Sequence, residues 1–318
     1  MKLQNLYSKE IMEVYLATPR GFCAGVDLAV DIVKMAVEKY GKPVYVKHQI
    51  VHNPKVVDDV EKMGAITVEK VSEVPNNSVV VFSAHGSPPK DYQDAKKKNL
   101  TVLDATCPLV TRVHNEAKKY KKEGKKIILV GHKGHQEVIG TTGQSDMEII
   151  DDRDDWVLPN YENDEKVAVL TQTTLSVDDT SKTIKKILQS KPDAVIRNDI
   201  CYATTNRQQA AIELADLTEI VLVIGASNSS NCNRLRDVAI KKGVPAYLIN
   251  GPEELDMNWL KNVSKIGITS GASTPEKQVQ SVISAINPKI IHDVGPGERK
   301  TIFSMPKKVK EVFSEEKK

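Results

Sequence analysis

Short apolar runs alternate with amphipathic stretches along the whole chain. Residues 14–17, 44–46, 79–82, 127–130, 167–170, 221–224 and 266–269 are near-continuous hydrophobic segments of strand length. Such runs suit strands covered on both faces. Between them, residues 56–63, 182–189, 235–242 and 277–285 space their apolar positions as helices do. The alternation predicts an α/β protein with small, mostly parallel sheets.

One pattern occurs three times. An extended segment ends in a loop that carries a cysteine, and a helix follows. Residues 14–23 lead through Cys23 into a helix over 26–40, and residues 102–107 lead through Cys107 into one over 110–122. Residues 193–201 lead through Cys201 into a helix over 208–216. His52, His135 and Ser230 then follow their cysteines at 29, 28 and 29 residues, and His85, Thr173 and Ser273 at 62, 66 and 72. These spacings predict a threefold repeat. The expected units are residues 1–102, 103–195 and 196–287. A tail, 288–318, is expected to pack back through 302–303 and 309–313, with its charged end, 315–318, frayed.

The 318 residues carry a formal charge of +3, which argues for neither nucleic acid nor a membrane surface. Aromatic residues make up 5%, too few for a base-stacking platform. No apolar run approaches a membrane span. Residues 1–10 are polar and mixed in charge, without a signal-peptide core. The expectation is a cytoplasmic protein.

Four cysteines in a chain of this length do not make a disulfide framework. None forms a Cys-x-x-Cys pair, so the close-paired zinc spacing is absent. Single cysteines are commonly buried and structural. Three in matched settings instead suit an iron–sulfur cluster with three protein thiolates and one iron left open. Cys232 lacks the strand–Cys–helix setting and reads as a small residue in the first turn of a helix.

The polar loops suit an anion. Asn53 and Pro54 make a cap and first-turn proline after His52, and Thr274 and Pro275 are expected to do the same after Ser273. Ser229, Ser230 and Asn231 precede a further helix, and His85 precedes a segment expected to turn helical after Pro88 and Pro89. Helix N-termini favour phosphate. Each Ser, Thr or Asn alone reads more simply as a cap; together with two histidines they favour phosphate. No nucleotide-type glycine motif is present. Glu137 follows His135 by two residues in an apparent loop over 134–140, where a carboxyl could hold a proton. A first-turn glutamate stabilised by the helix dipole is the plainer alternative. Asp178 and Asp179 read as a cap and first-turn pair.

The chain resembles the 4-hydroxy-3-methylbut-2-enyl diphosphate reductase family. The motifs are Pro-Arg-Gly-Phe-Cys-Ala-Gly-Val from residue 19, Ser-Ala-His-Gly from 83, Asp-Ala-Thr-Cys-Pro-Leu-Val from 104 and Gly-His-Lys-Gly-His from 131. Thr-Gln-Thr-Thr-Leu-Ser-Val-Asp-Asp-Thr from 171, Cys-Tyr-Ala-Thr-Thr-Asn-Arg-Gln from 201, Ser-Ser-Asn from 229 and Gly-Ala-Ser-Thr-Pro-Glu from 271 complete the set. They keep the family order over most of the chain. Leu28, Ser87, Gln136 and Cys232 depart from the usual pattern, and Gln136 stands next to Glu137.

The resemblance implies three α/β units arranged pseudo-threefold around a 4Fe–4S cluster held by Cys23, Cys107 and Cys201. It implies substrate-binding roles for His52, His85 and His135, and diphosphate-binding roles for Ser229, Ser230, Asn231 and Ser273. Glu137 and Thr173 would handle the substrate hydroxyl and its protons, with His135 as a further catalytic group. The implied reaction removes an allylic hydroxyl with two electrons, giving isopentenyl and dimethylallyl diphosphate in the non-mevalonate isoprenoid pathway. A ferredoxin or flavodoxin would supply the electrons. A non-redox phosphate-binding enzyme and a cluster-bearing sensor remain the alternative classes.

Overall fold

The computed structural model describes residues 12–162, 164–297 and 301–314. The sequence expectations for 1–10 and 315–318 fall outside them. Two compact units emerge, one of Met1–Gly21 with Asn206–Glu298, the other of Phe22–Thr205 with Arg299–Lys318. Strand β1 (Glu13–Ala17) opens the described chain in the first of these.

The larger unit carries two four-stranded parallel sheets. Helix α1 (Ala24–Tyr40) precedes the first, which runs β2 (Val44–Lys47), α2 (Pro54–Met63), β3 (Ala65–Val68), β4 (Val79–Phe82), α3 (Pro89–Lys97) and β5 (Thr101–Asp104). Helix α4 (Pro108–Lys122) leads into the second: β6 (Lys126–Val130), α5 (Gln136–Thr142), β7 (Glu148–Ile150), β8 (Val167–Thr171), α6 (Val177–Ser190) and β9 (Val195–Ile196). The orders, β3-β2-β4-β5 and β7-β6-β8-β9, are the same topology. In each, alternate side chains go to opposite faces. Val44, Val46 and Val81 join α1 and α2 in one core, while Val80 and Phe82 pack with Ala95 of α3 in another. Leu129 and Leu170 pack with α4, while Ile128 and Val169 pack with Ile187 of α6.

The smaller unit continues with α7 (Tyr202–Leu217), which begins in the larger one. Then come β10 (Ile220–Ile224), α8 (Ser230–Lys241), β11 (Ala246–Ile249), β12 (Lys265–Ser270), α9 (Glu276–Ile286) and β13 (Ile290–Val294). Its parallel sheet has the order β11-β10-β12-β1-β13. The strand that precedes Cys23 therefore occupies the place that β5 and β9 hold before Cys107 and Cys201. Residues 14–17, expected in the first unit, pair with β12 and β13.

Other expectations also shift. Of residues 193–200 only Val195–Ile196 form a strand. The tail contributes strand β13 and helix α10 (Lys307–Ser314). Val309 is buried in the α1 core with Phe303 and Phe313 packed against it, whereas Ile302 is exposed. No described helix is long and apolar enough to cross a membrane.

Candidate active site

Every expected site residue of the larger unit stands at the carboxyl end of a strand or just beyond it, where parallel sheets bind ligands. The ladder extends into these loops. Cys107 N–H donates to Ala84 O at 3.0 Å, and Cys201 N–H to Thr173 O at 3.0 Å. Each of these cysteines is thus fixed beside a polar loop, one next to His85, the other at Thr173 itself.

Cys23 and Cys107 occupy the N-cap positions of α1 and α4, and Cys201 directly precedes α7. Helix N-termini favour thiolates. Cys201 Sγ also accepts Thr204 N–H at 3.3 Å. Gly25 makes room for sulfur: a Cβ there would lie 2.7 Å from Cys107 Sγ and 3.9 Å from Cys23 Sγ. Burial pushes the Cys107 thiol up to about 12 and the Cys201 thiol up to about 11, with neighbouring thiols adding to the shift. The free thiols therefore hold their protons, and ligation would release them.

The three sulfurs do not form a set whose ligand atoms all lie within 4.8 Å of one another. Cys107 feels the charge of both other thiols, and Cys201 that of Cys23. That fits a polynuclear cluster, in which each thiolate serves a different iron. Elsewhere His132, Asp151 and Asp152 lie close enough to hold a metal ion, but Asp151 is already held by Arg153.

His52, His85 and His135 come together. The rings of His52 and His85 stack at 4.0 Å, and His135 meets them edge-on at 5.2 and 6.0 Å. Asn53 caps α2 through Lys55 and Val56 N–H, with Pro54 at its first position, as expected. Ala84 N–H donates to Ile50 O at 3.1 Å, tying the two histidine loops together. Burial lowers His52 to about 4, and His85 well below the usual imidazole range. Both are neutral at physiological pH.

Glu137 departs from the loop expected over 134–140. Residues 136–142 form α5, and His135 is its N-cap. His135 Nδ1 accepts Glu137 N–H at 3.1 Å. In the neutral ring the proton therefore sits on Nε2, which is buried without a hydrogen-bond partner among the described residues. Burial lowers His135 to about 3. Gln136 takes the first helical position, where proline would also fit, so this departure from the family pattern leaves the placement of Glu137 intact.

The Glu137 side chain turns inward and is fully buried. Thr173 N–H donates to Oε1 at 2.7 Å and Thr173 Oγ1 to Oε2 at 3.0 Å. Burial raises its carboxyl to about 7, against the lowering effect of those two donors. The α5 helix is locked to the His85 loop by Gln144 Nε2, which donates to Ser87 O at 3.2 Å and Gly140 O at 2.8 Å.

In the smaller unit, Ser229 caps α8 and accepts Cys232 N–H at 3.4 Å. Asn231 is buried, and neither side-chain amide atom has a hydrogen-bond partner among the described residues. Ser273 is buried on the neighbouring loop, and Ser230 opens the helix. Pro275, not Thr274, stands at the cap of α9; the Thr274 hydroxyl donates to Ile224 O at 2.9 Å instead. Ser176, not Asp178, caps α6. Cys232 is fully buried in the first turn of α8, as expected.

Sequence reasoning missed His48. It follows β2 and meets His52 and His85 edge-on at 5.6 and 5.9 Å. A ring nitrogen of each of the three lies within 4.8 Å of the other two. The spacing from His48 to His52, one helical turn, is no signal in a loop, so nothing local distinguished it.

Known proteins resemble this chain over most of its length. Residues 14–287 match the family model described as LytB protein. The 4-hydroxy-3-methylbut-2-enyl diphosphate reductase of Glaesserella parasuis serovar 5 is 47% identical over 309 residues, covering 94% of this chain and 98% of that one. The Alcanivorax borkumensis protein of the same name is 48% identical over 308 residues, covering 93% and 99%. The solved E-1-hydroxy-2-methyl-but-2-enyl-4-diphosphate reductase of Plasmodium falciparum superposes with a TM-score of 0.91 at 37% identity, over 95% of this chain and 98% of that one. With matches of this extent to family model, sequence and fold alike, the chain belongs to the LytB protein family.

Proposed function

We propose that this chain reduces (E)-4-hydroxy-3-methylbut-2-enyl diphosphate to isopentenyl and dimethylallyl diphosphate. The overall change consumes two electrons and two protons. It breaks the allylic C–O bond, forms one C–H bond and releases water. The observation that carries the reading is Glu137: a buried carboxyl near pH 7, bonded twice by Thr173 and next in the chain to the histidine pocket.

Cys23, Cys107 and Cys201 would hold a 4Fe–4S cluster. When bound, it would supply the two electrons one at a time, together with Lewis acidity. The protein groups do the rest. At neutral pH Glu137 is divided between its protonated and ionised forms, suited to giving a proton and taking one back. A proton on Oε2 would be donated to Thr173 Oγ1, freeing the threonine hydroxyl hydrogen for the substrate oxygen. His135 Nε2–H offers a further donor. His52 and His85 would bind phosphate oxygens in a water-poor pocket, where fixed donors act strongly. Ser229, Ser230, Asn231 and Ser273 are proposed as diphosphate-binding groups of the smaller unit; the two unpartnered amide atoms of Asn231 support that role. The reading includes a cytoplasmic enzyme served by a small electron carrier such as ferredoxin or flavodoxin.

The test is iron and acid-labile sulfide analysis of protein purified without oxygen, followed by turnover with an artificial electron donor. About four of each per chain, with substrate converted to both products, is expected. Protein that stays iron-free after anaerobic reconstitution would overturn the reading.

A further inference from the structure

His48 is more elaborately held than a surface histidine needs to be. Its backbone lies in the left-handed region, φ 59°, and its N–H donates to Val68 O at 2.7 Å, continuing the β2–β3 ladder. A non-glycine residue adopts that conformation only at an energetic cost. Strain of this kind persists where the surroundings enforce it, often at ligand sites. The ring is anchored from outside: Nδ1 lies 2.9 Å from Glu69 Oε2. A carboxylate only accepts, so Nδ1 carries the hydrogen. The other nitrogen, Nε2, is buried and has no hydrogen-bond partner among the described residues. It belongs to a ring that faces both His52 and His85.

A surface ion pair with Glu69, 65% exposed, explains neither the backbone conformation nor the buried nitrogen. Such pairs contribute little to stability. A buried polar atom without a partner calls for a ligand group.

We propose that His48, held from behind by Glu69, is a further diphosphate-binding residue, donating from Nε2 to a phosphate oxygen beside His52 and His85. This rests on the diphosphate reading above. For Nε2 to donate while Nδ1 gives its hydrogen to Glu69, the ring in the diphosphate complex carries both protons, an imidazolium between two anions, which makes both hydrogen bonds charge-assisted. Glu69 fixes the ring, so His48 also sets where the phosphate lies relative to the histidine stack. Glu69 orients the ring as carboxylates orient metal-bound histidines, but the far nitrogen here donates a hydrogen and not a lone pair.

The test uses calorimetric titration of the anaerobic holoenzyme with inorganic diphosphate, backed by steady-state kinetics. His48→Asn tolerates the left-handed backbone, and its amide can still donate to Glu69, but it cannot reach the position of Nε2. It is expected to bind diphosphate about tenfold more weakly, to raise KM with little change in kcat, and to keep the wild-type melting temperature. His48→Gln, whose amide reaches further, is expected to recover part of the affinity. Wild-type affinity and KM in His48→Asn would overturn the proposal. So would diphosphate binding that requires added Zn2+, since His48 would then be a metal ligand. His85→Asn is the control for the underlying reading. If it weakens binding and His48→Asn does not, only the His48 assignment fails. If neither does, the diphosphate pocket itself is wrong.

Discussion

The loops that follow the two sheets of the larger unit share a scaffold and reach opposite protonation states. His52 and His85 come after β2 and β4; Glu137 and Thr173 come after β6 and β8, the same positions in the same strand order. Burial dominates in both. Acting on imidazoles beside other imidazoles, it removes the proton: His52 falls to about 4. Acting on a carboxyl, it retains the proton: Glu137 rises to about 7 despite two donated hydrogen bonds. The same physical force, disfavouring charge, thus leaves the His52 and His85 rings uncharged and makes Glu137 an acid poised at neutrality. An anion entering the first finds neutral donors, and a leaving hydroxyl near the second finds a proton.

The sharpest way to break this contrast is Glu137→Gln. The amide keeps the size and the hydrogen bond from Thr173 N–H but holds no transferable proton. Turnover is expected to fall by about 10²–10⁴-fold. Visible absorption and iron content should stay as in the wild type. Near-normal turnover with the cluster intact would remove Glu137 from the proton path.

His85→Asn probes the other pocket. It deletes one donor from the stack without adding charge, and the loop is still tied through Ala84 to Ile50 and Cys107. Substrate affinity should drop by about 10–100-fold, read mainly as a higher KM. If kcat fell instead while KM held, His85 would belong to the chemistry and the division of labour between the two pockets would be wrong.

How much of this was legible beforehand follows from where the signals lie. The three strand–Cys–helix settings are local, so Cys23, Cys107 and Cys201 could be read directly. The central strands are unbroken apolar runs and were found within a residue or two. Edge strands such as Ala65–Val68 and Glu148–Ile150 were missed, and Val195–Ile196 was drawn too long, because one flank and fewer buried positions leave a weak pattern. That β1 completes the last sheet depends on pairing across more than 250 residues, which no local pattern encodes. Glu137 read as a loop residue because Gly134 and Gly140 bracket it; Gly140 is instead inside α5, in close approach to Gly86 O. His48 gave no signal because its anchor, Glu69, comes 21 residues later on a different strand end.

The contrast between the pockets also sets opposite pH dependences of stability. His52 has a folded pKa below the unfolded value of 6.5, so the stability it contributes is present above that value and is lost as pH falls towards about 4. Glu137 has a folded pKa raised from 4.5 to about 7, so its contribution is present in acid and is lost as pH rises through 7. Between pH 7.5 and 5 the two oppose each other, each by about 2 kcal/mol on this linkage. Urea unfolding of the variants at those two pH values separates them. His52→Asn removes the group that costs stability in acid, so its loss on acidification should be smaller than that of the wild type. Glu137→Gln removes the counterweight, so its loss should be larger. Shifts of the same sign in both variants would mean that burial does not govern one of the pockets. A smaller acid loss in Glu137→Gln would identify that pocket as the carboxyl one, with its donors from Thr173 outweighing desolvation.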